Sequence, residues 1–416
     1  MEFAYSASVE GLRQHLTNFM DSHIIPRQKQ WHKEVSEGIY PVSFMKDLKA
    51  LAKEEGLWNL FLPHLHADEP GKGLSNIEYA PLAEIMGRVS WASEVFNCNA
   101  PDTGNMELLH MFATDEQREK YLKPLLNGDI RSAFAMTEPD VPSSDATNIQ
   151  TLMLEDGDDY VINGRKWFIT NASHPNCKFF IVMGKTDPNA ATHKQQSMIL
   201  VPYDSPGINV IRNVSILNHH SPEGHNEIIF KDVRVPKTNI LGEEGQGFAM
   251  AQARLGPGRI HHCMRAIGQA ELALELLCER SLERKTFGQF LHERSNISDW
   301  IGHSRCEIEQ ARILVLKAAW MIDKVGAKEA RKEISMIKVV VPSLLTRVVD
   351  RAIQTFGAMG LSPDTPLADL YTFGRALRFA DGPDEVHLRS IAKMEIKAAK
   401  ENLGRGARYL SHPDID

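Results

Sequence analysis

The chain contains 416 residues, of which 43% are hydrophobic, and its formal net charge is −7 at pH 7. This length predicts roughly two or three domains, and the acidic balance argues against nucleic acid or an anionic membrane surface as a partner. No apolar run approaches the ~18 residues that a membrane-spanning helix needs. The five cysteines are scattered without a CxxC pair, which argues against a structural zinc site or a disulfide framework.

The first ten residues lack a basic region followed by an apolar one, so we expect no signal peptide and a cytoplasmic protein. The chain has 17 histidines, but no HExxH or HxxEH spacing. Two adjacent pairs, His219–His220 and His261–His262, would point to different faces of a helix or strand. We therefore expect no metal site.

Residues 1–130 are expected to form an N-terminal α-helical domain, because apolar residues recur there at helical spacing. Thr114 is a predicted helix cap, since acidic residues follow it in the first turn. Asn127–Gly128 is a typical helix end. Prolines and glycines mark residues 63–75 as a loop.

Residues 131–240 are expected to form a middle, mostly antiparallel β domain. Asn163–Gly164 lies between β-rich runs, a pattern that predicts a hairpin turn. Short apolar runs at 179–182, 197–201 and 227–230 predict further strands, separated by glycine and proline.

Residues 241–416 are expected to form a C-terminal bundle of four helices, at 248–281, 296–325, 330–356 and 384–403. The third helix has a wide apolar stripe running from Ile334 to Phe356, as a buried bundle helix would. Pro342 is predicted to kink it. The fold class is therefore α+β, with helical, β and helical domains in that order.

Asp381 follows Phe379–Ala380 and precedes a turn, Gly382–Pro383, that opens the last helix. A carboxylate in an apolar pocket has a raised pKa and can act as a base. The alternative is that Asp381 only caps the helix, and these residues alone favour the cap.

Other segments offer groups suited to a ligand. The loop at 136–145 has hydroxyl residues after a predicted strand, and the segment 167–171 combines aromatic and hydroxyl side chains. Arg259 opens the first long helix and Arg284 ends it. A basic residue and a hydroxyl at a helix end can hold a pyrophosphate, although complementarity to the helix dipole also explains a basic residue there.

The order of these segments resembles the acyl-CoA dehydrogenase family over nearly the whole chain. The motifs that carry the resemblance are Met136–Pro139 with Ser144–Asp145, Trp167–Asn171, Arg284–Gly288, Gln354–Gly357 and Asp381–Gly382. The run Asp381–His387 resembles the branch of family members 10 and 11, some of which carry an extra phosphotransferase-like domain and are linked to breakdown of 4-hydroxy acids. We expect no such domain here.

The resemblance implies one FAD per subunit in a homotetramer or homodimer, with no metal. Residues implied to bind FAD are Met136, Thr137, Trp167, Ile169 and Thr170, with Thr137, Trp167 and Thr170 at the flavin ring, whereas Ser144 is implied to lie near the FAD pyrophosphate. Residues implied to hold the FAD of a neighbouring subunit are Arg284, Thr286, Gln354 and Gly357. Residues implied to contact the acyl-CoA substrate are Ser144, Arg259 and Gly382.

The resemblance also implies the reaction. Asp381 would remove the α-proton of an acyl-CoA thioester while its own backbone N–H and a flavin hydroxyl bind the thioester carbonyl. The β-hydrogen would pass to FAD as hydride, leaving 2-enoyl-CoA, and an electron-transferring flavoprotein would accept the electrons. Desolvation is expected to raise the pKa of Asp381. The resemblance to this branch further implies a 4-substituted acyl chain.

The chain departs from the family pattern at several positions. The usual base is Glu, one methylene longer than Asp381, and a base that some relatives carry before the arginine of the long helix is replaced by Gly258. Ser295, Ala358 and Glu385 stand where other residues are common, so individual FAD contacts there stay open.

Alternative functions remain open from the sequence. One is a flavin oxidase of the same fold, acting on nitroalkanes or acyl-CoA, because nitroalkane-oxidising relatives use an aspartate as base. Another is a non-catalytic FAD scaffold. DNA-binding relatives have basic C-terminal surfaces, which the acidic balance of this chain disfavours.

Overall fold

A computed structural model describes residues 4–411, and its first part is helical. Capping explains where several helices begin: Ser75 and Glu78 form a capping box before α4, and the predicted cap Thr114 accepts a 3.3 Å hydrogen bond from the amide of Gln117 in α7. Gly128 has a φ of 69°, as the predicted helix end requires. The helices are α1 (Ala7–Phe19), α2 (Gln28–Ser36), α3 (Met45–Glu54), α4 (Asn76–Gly87), α5 (Ala92–Val95), α6 (Asp102–Phe112), α7 (Asp115–Gln117) and α8 (Lys123–Leu126).

The middle part is a seven-stranded sheet in the order β1-β4-β2-β3-β7-β6, with β5 paired to β4. Its strands are β1 (Arg131–Ala135), β2 (Leu152–Asp156), β3 (Asp159–Thr170), β4 (Cys177–Lys185), β5 (Gln196–Pro202), β6 (Ile208–Asn213) and β7 (His225–Pro236). The β1–β4 ladder and a single β2–β4 pair are parallel, and the other neighbours are antiparallel. The three predicted apolar runs lie within β4, β5 and β7.

The predicted hairpin turn at Asn163–Gly164 is wrong. The turn lies at Gly157, with a φ of 65°, between β2 and β3, where Asp156 pairs with Asp159. Asn163–Gly164 sits inside β3 at a shift in its register with β7. A Cβ added at Gly164 would lie 2.3 Å from Oγ1 of Thr151, so the glycine serves a close approach rather than a turn.

The last part is again helical, and its central helix is α11. This helix contacts all the other helices of the region, because its predicted apolar stripe is buried on a wide face. It continues as a helix through Pro342. The elements are α9 (Gly247–Glu283), β8 (Lys285–Thr286), β9 (Gln289–Phe290), α10 (Ser295–Glu329), α11 (Arg331–Phe356), α12 (Leu367–Leu377) and α13 (Asp384–Glu401).

Strand β4 joins the two hydrophobic cores, because its side chains alternate between them. Phe179 and Ile181 belong to the large core shared with the helices, whereas Phe180 and Val182 belong to the smaller core of the sheet. The sheet is thereby packed directly against the helical regions. Within residues 4–411, no helix is both long enough and apolar enough to cross a bilayer.

Candidate active site

Asp381 lies in the turn between α12 and α13 and does not cap a helix. Pro383 is the N-cap residue of α13, with φ −70° and ψ 159°. Asp381 itself has a φ of 56° and Gly382 a φ of 110°. Asp is one of the few residues other than Gly that visit the left-handed region readily. Within residues 4–411, the Asp381 carboxylate accepts no hydrogen bond from the first amides of α13 and lies beside His262 of α9.

Two basic side chains from other helices hold this turn by its carbonyl oxygens. Lys338 of α11, whose side chain is fully buried, donates to the carbonyls of Leu377 (2.6 Å) and Ala380 (2.7 Å). Arg259 of α9 donates from Nε to the carbonyl of Asp381 itself, at 2.8 Å. Hydrogen bonds from charged donors are among the stronger ones in proteins. The backbone position of Asp381 is thus set by the helical bundle.

The carboxylate of Asp381 is 18% exposed and faces α9. Its Oδ2 lies 3.7 Å from Nε2 of His262. A side chain added at Gly258 would begin 3.5 Å from the same oxygen, at ordinary van der Waals distance. Gly258 therefore leaves open the space into which the carboxylate points, and it borders the same site.

The expectation of a raised pKa for Asp381 is wrong. Burial does raise the pKa of this carboxyl, but His262, Arg254, Lys338 and Arg259 together lower it further, and the net pKa lies below the usual value. The preceding Phe379, expected to contribute an apolar pocket, is 61% exposed. The pocket is basic rather than apolar, so Asp381 is ionised at neutral pH and available as a base.

Sequence reasoning missed most of this basic pocket. His262 was set aside with the adjacent histidine pairs, and Lys338 and Arg254 were not singled out. Lys338 did leave a signal, because it interrupts the apolar stripe of α11 at a core position. Arg254 is buried on α9, where it donates to Oδ1 of Asn105 at 3.0 Å and lies 4.0 Å from the centre of the Phe134 ring.

The structure brings several predicted flavin residues together at the ends of β1 and β3. The amide of Trp167 donates to the carbonyl of Thr137 at 3.0 Å, and the carbonyl of Met136 accepts from Lys166 at 2.8 Å. The hydroxyl of Thr170 lies 3.0 Å from Nδ1 of His225. The partly buried Trp167 thus lies beside Thr137, and Thr170 lies beside His225 at the start of β7.

Ile169 is placed differently from its neighbours. Its side chain is 1% exposed and belongs to the core of the sheet, so it can offer only backbone groups to a ligand. Ser144 is exposed in the loop after β1.

The predicted residues of the C-terminal region lie on the surface. Arg284, Gln354 and Gly357 are exposed. Thr286, on β8, is partly buried. Gln354 borders a cavity of about 280 Å³ that Trp300, Arg347, Asp350 and Arg351 also line. Phe287, between β8 and β9, is 96% exposed. An exposed set with cationic side chains is suited to a partner or ligand that lies outside the single chain.

Three of the departures from the family pattern, Ser295, Ala358 and Glu385, are also at the surface. Ala358 and Glu385 are exposed, and Ser295 is the first residue of α10. None of these side chains replaces a buried contact.

Among residues 4–411, one histidine and carboxylate cluster has spacing that could suit a metal ion: His66, Glu69 and His110. Glu69 is already occupied, because Oε1 accepts from Arg118 at 2.7 Å and Oε2 accepts from the amide of His66 at 2.8 Å. His110 adds a third contact at 3.0 Å. The cluster is therefore an ion-pair network that fastens the 63–75 loop to α6.

Comparison with known proteins agrees with this architecture. Residues 6–129, 133–233 and 245–395 match the N-terminal, middle and C-terminal domains of acyl-CoA dehydrogenase, respectively. The chain is 53% identical over 406 residues to the probable acyl-CoA dehydrogenase FadE2 of Mycobacterium tuberculosis, a match that covers 96% of this chain and 98% of that protein.

Two further matches are informative. Acyl-CoA dehydrogenase family member 10 of Mus musculus is 54% identical over 398 residues, which are 94% of this chain but only 37% of that longer protein. The solved structure of a putative acyl-CoA dehydrogenase from Mycobacterium abscessus has a TM-score of 0.92 and 47% identity, covering 95% of this chain and 100% of that one. The chain therefore belongs to the acyl-CoA dehydrogenase family.

Proposed function

We propose that the protein is an FAD-dependent acyl-CoA dehydrogenase that converts an acyl-CoA thioester to the 2-enoyl-CoA. The observation that carries this proposal is the Asp381 carboxylate beside Gly258, on a turn whose backbone carbonyls are held by Arg259 and Lys338. A positioned base of this kind can remove a weakly acidic proton next to a carbonyl.

The predicted flavin residues around Trp167 fit the flavin ring of FAD. A planar heterocycle needs an aromatic surface and hydrogen-bonding groups, and Trp167, Thr137 and Thr170 supply these types of group in and next to β1 and β3. The exposed Arg284 and the Thr286 hydroxyl suit a pyrophosphate. When bound, FAD supplies the redox chemistry by accepting the β-hydrogen with its electron pair.

The backbone around Asp381 fits the role of an oxyanion donor. The amides of Ala380 and Gly382 donate to the carbonyls of Ala376 (3.0 Å) and Phe379 (3.1 Å). Between residues 4 and 411 we find no acceptor for the amide of Asp381, so this N–H is free to bind the thioester oxygen. Such a hydrogen bond would stabilise the charge that develops when Asp381 takes the α-proton.

The test is anaerobic mixing of the purified holoenzyme with a panel of acyl-CoAs while flavin absorbance is followed. We expect bleaching in the wild type and a rate at least ~10²-fold lower for Asp381→Asn, which keeps the shape and loses the base. Bleaching at equal rates would exclude Asp381 as the base. FAD binding without bleaching by any acyl-CoA would favour a nitroalkane substrate or a non-catalytic scaffold.

We further propose that an electron-transferring flavoprotein accepts the electrons and that the acyl chain carries a 4-substituent. The identity to family member 10 supports the branch on which both ideas rest. Fast reoxidation by air with peroxide release would instead indicate an oxidase. Equal turnover of unsubstituted and 4-hydroxy acyl-CoAs would contradict the proposed substrate preference.

A further inference from the structure

A buried imidazole lies beside the carboxylate of Asp381. His262 of α9 places Nε2 3.7 Å from Oδ2 of Asp381, and the side chains are only 17% and 18% exposed. The ring centre of His262 lies 6.4 Å from that of Phe373 on α12. The imidazole is thus enclosed by two helices and turned toward the base.

Arg265 determines which nitrogen of His262 carries the hydrogen. Nη2 of Arg265 lies 3.2 Å from Nδ1 of His262. A guanidinium group can only donate, so Nδ1 must accept and the hydrogen of the neutral ring must be on Nε2. Arg265 is itself held by the carbonyl of Cys98, to which Nη1 donates at 3.3 Å. The N–H of His262 is therefore directed at Asp381.

His262 stays neutral over the range in which enzymes of this kind work. Burial lowers the pKa of the imidazole to about 3, and the nearby charge of Arg265 acts in the same direction. Asp381 opposes this shift but does not overcome it. At neutral pH the group therefore acts on Asp381 as a hydrogen-bond donor, and its charge lowers the pKa of Asp381 only at the low pH at which the imidazole is protonated.

Within residues 4–411, the hydrogen bonds of the other basic groups near Asp381 go to acceptors other than its carboxylate. Arg259 and Lys338 donate to backbone carbonyls of the turn. Arg254 donates to Asn105 and to the carbonyl of Pro101, and Glu107 of α6 faces it. They stabilise the negative charge of Asp381 but do not orient its oxygens.

The last helix contributes two more titratable groups to this region. Asp384 accepts from Nε of Arg378 at 2.7 Å. His387 lies against Gly382, where an added Cβ would be 3.0 Å from its Nε2. Neither offers a hydrogen to the Asp381 carboxylate, so the N–H of His262 is the donor aimed at it.

We propose that His262 is a positioning residue that donates its Nε2 hydrogen to Asp381 and aims the carboxylate at the α-hydrogen of the substrate. A separation of 3.7 Å is longer than a hydrogen bond, and such contacts commonly shorten when substrate binds. In the step itself, an Asp381 oxygen forms a bond to the α-proton. The C–H electron pair stays on the substrate, and His262 neither gains nor loses a proton.

This inference rests on the proposed function, so its test separates proton removal from oxidation. An acyl-CoA analogue with sulfur in place of the β-carbon has no β-hydrogen to lose. The holoenzyme and this analogue are incubated in D₂O, and mass spectrometry measures deuterium gained at the α-carbon across pH. Exchange by the wild type, and none by Asp381→Asn, would first establish Asp381 as the base.

Two amide variants then test whether His262 acts as a hydrogen-bond donor to Asp381. The amide nitrogen of His262→Gln reaches the position of Nε2, whereas that of His262→Asn reaches only the position of Nδ1. We expect His262→Asn to exchange at least ~10-fold more slowly, with the apparent pKa of the base raised because the anion loses a donor. His262→Gln should restore most of the rate and the wild-type pH profile.

The neighbouring histidine supplies a matched control. His261 is fully buried, with its ring centre 5.1 Å from that of Tyr79 and 6.0 Å from that of Phe61, and it faces away from Asp381. His261→Gln should leave the pH profile of exchange unchanged. Melting temperature and FAD content report whether each variant is folded.

Several results would overturn the inference. If His262→Asn exchanged deuterium as fast as the wild type, no donor at this position would be needed. If His262→Gln and His262→Asn lost the same fraction of the exchange rate and the pH profile did not shift, His262 would act through packing alone. A crystal structure of the wild type with the analogue gives an independent measurement: a Nε2–Oδ2 distance within about 3.2 Å supports the donor role, and one above 3.5 Å contradicts it. If the wild type exchanges no deuterium, the proposed function itself fails and this inference with it.

Discussion

Asp381 is ionised because of side chains that lie far from it in the sequence. Its position at the end of the chain was predictable from the turn pattern and from the family resemblance, but its electrostatic environment was not. The local sequence suggested an apolar pocket, whereas residues from α9 and α11 make the pocket basic. Contacts between distant helices depend on the packed bundle, and no local pattern reports them.

Gly258 and Asp381 border the same space, so the base could be moved from one to the other. We predict that Asp381→Gly abolishes flavin bleaching by acyl-CoA and that adding Gly258→Glu restores a measurable part of it. Glycine also suits the φ of 56° at position 381. Stopped-flow bleaching rates check this, and Gly258→Gln in the same background is the control. No gain over the single variant would contradict the shared space.

Lys338 both holds the turn and stabilises the Asp381 anion. Removal of this charge in Lys338→Met should raise the pKa of Asp381, because Lys338 lowers it in the wild type. The acidic limb of the pH profile of kcat/KM should therefore move to higher pH. Two carbonyls also lose their donor, at a cost of roughly 1–3 kcal/mol of stability each.

Lys332→Met is the control for this prediction, because Lys332 lies on the same helix but is 42% exposed. It should change neither the pH profile nor the melting temperature appreciably. A shift of the acidic limb to lower pH in Lys338→Met would contradict the electrostatic role.

At the scale of elements, the periodicity of apolar residues predicted the long helices correctly. The local composition of one segment, in contrast, led to a wrong prediction of a turn. The stripe of α11 is wide and continuous, so its burial followed from spacing alone. Asn163–Gly164 has the composition of a turn but lies in β3, since tertiary contact with Thr151 requires the glycine. The short helix α12 was not predicted, although it carries the turn of Asp381 at its end.

A buried ion network fastens the N-terminal helices to the sheet. Arg131 of β1 donates to Glu94 of α5 at 2.7 Å and also binds Asp102 of α6. Lys49 of α3 donates to the same Glu94 oxygen at 2.9 Å, and Asn171, just after β3, donates to Asp102 at 3.1 Å. Asn171 is the last residue of the segment 167–171. The network therefore also holds in place the segment that we expect to bind the flavin.

Glu94 should make this network sensitive to acid. Burial raises the pKa of Glu94, but Lys49 and Arg131 lower it further, so the folded-state pKa lies well below the usual pKa of a glutamate. The stability it contributes is present above that value and is lost as the pH falls below it. Glu94→Gln should cost about 3–5 kcal/mol at neutral pH and flatten the decline of melting temperature between neutral and acidic pH.

Thermal unfolding across pH measures this, with Glu119→Gln as the control. Glu119 is 64% exposed in a surface pair with Lys123, and exposed pairs contribute about 1 kcal/mol or less. An equally steep acid dependence in wild type and Glu94→Gln would show that other carboxylates are responsible.

At the scale of the whole molecule, the succession of helical, β and helical regions was visible in the change of hydrophobic period. The assembly of several chains could not be predicted in this way, because the hydrophobic period describes only the packing within one chain. Two large apolar residues of α13 lie on its outward side: Leu388 and Ile396 are 50% and 56% exposed, whereas the buried residues of this helix are Asp384 and His387. On the basis of these side chains and the exposed Phe287, we propose that the chain forms the homodimer or homotetramer that the family resemblance implies.

If Arg284 serves the FAD site of a neighbouring subunit, two inactive variants should restore each other. Arg284→Glu keeps Asp381, and Asp381→Asn keeps Arg284. In a mixed assembly, sites that combine the intact halves should turn over acyl-CoA, although each variant alone does not. Coexpression with two affinity tags and an activity assay measure this. Inactive mixed assemblies of confirmed composition would place Arg284 at the site of its own chain.

The exposed hairpin of β8 and β9 has a further consequence for handling the protein. If each flavin is enclosed by groups from two chains, release of the cofactor and separation of the subunits are one linked equilibrium. The yellow colour of the bound form would then fade on simple dilution, and the midpoint of thermal denaturation would rise with protein concentration. Added FAD would counter the effect of dilution. The chain would therefore stay folded only at sufficient concentrations of both FAD and the protein itself.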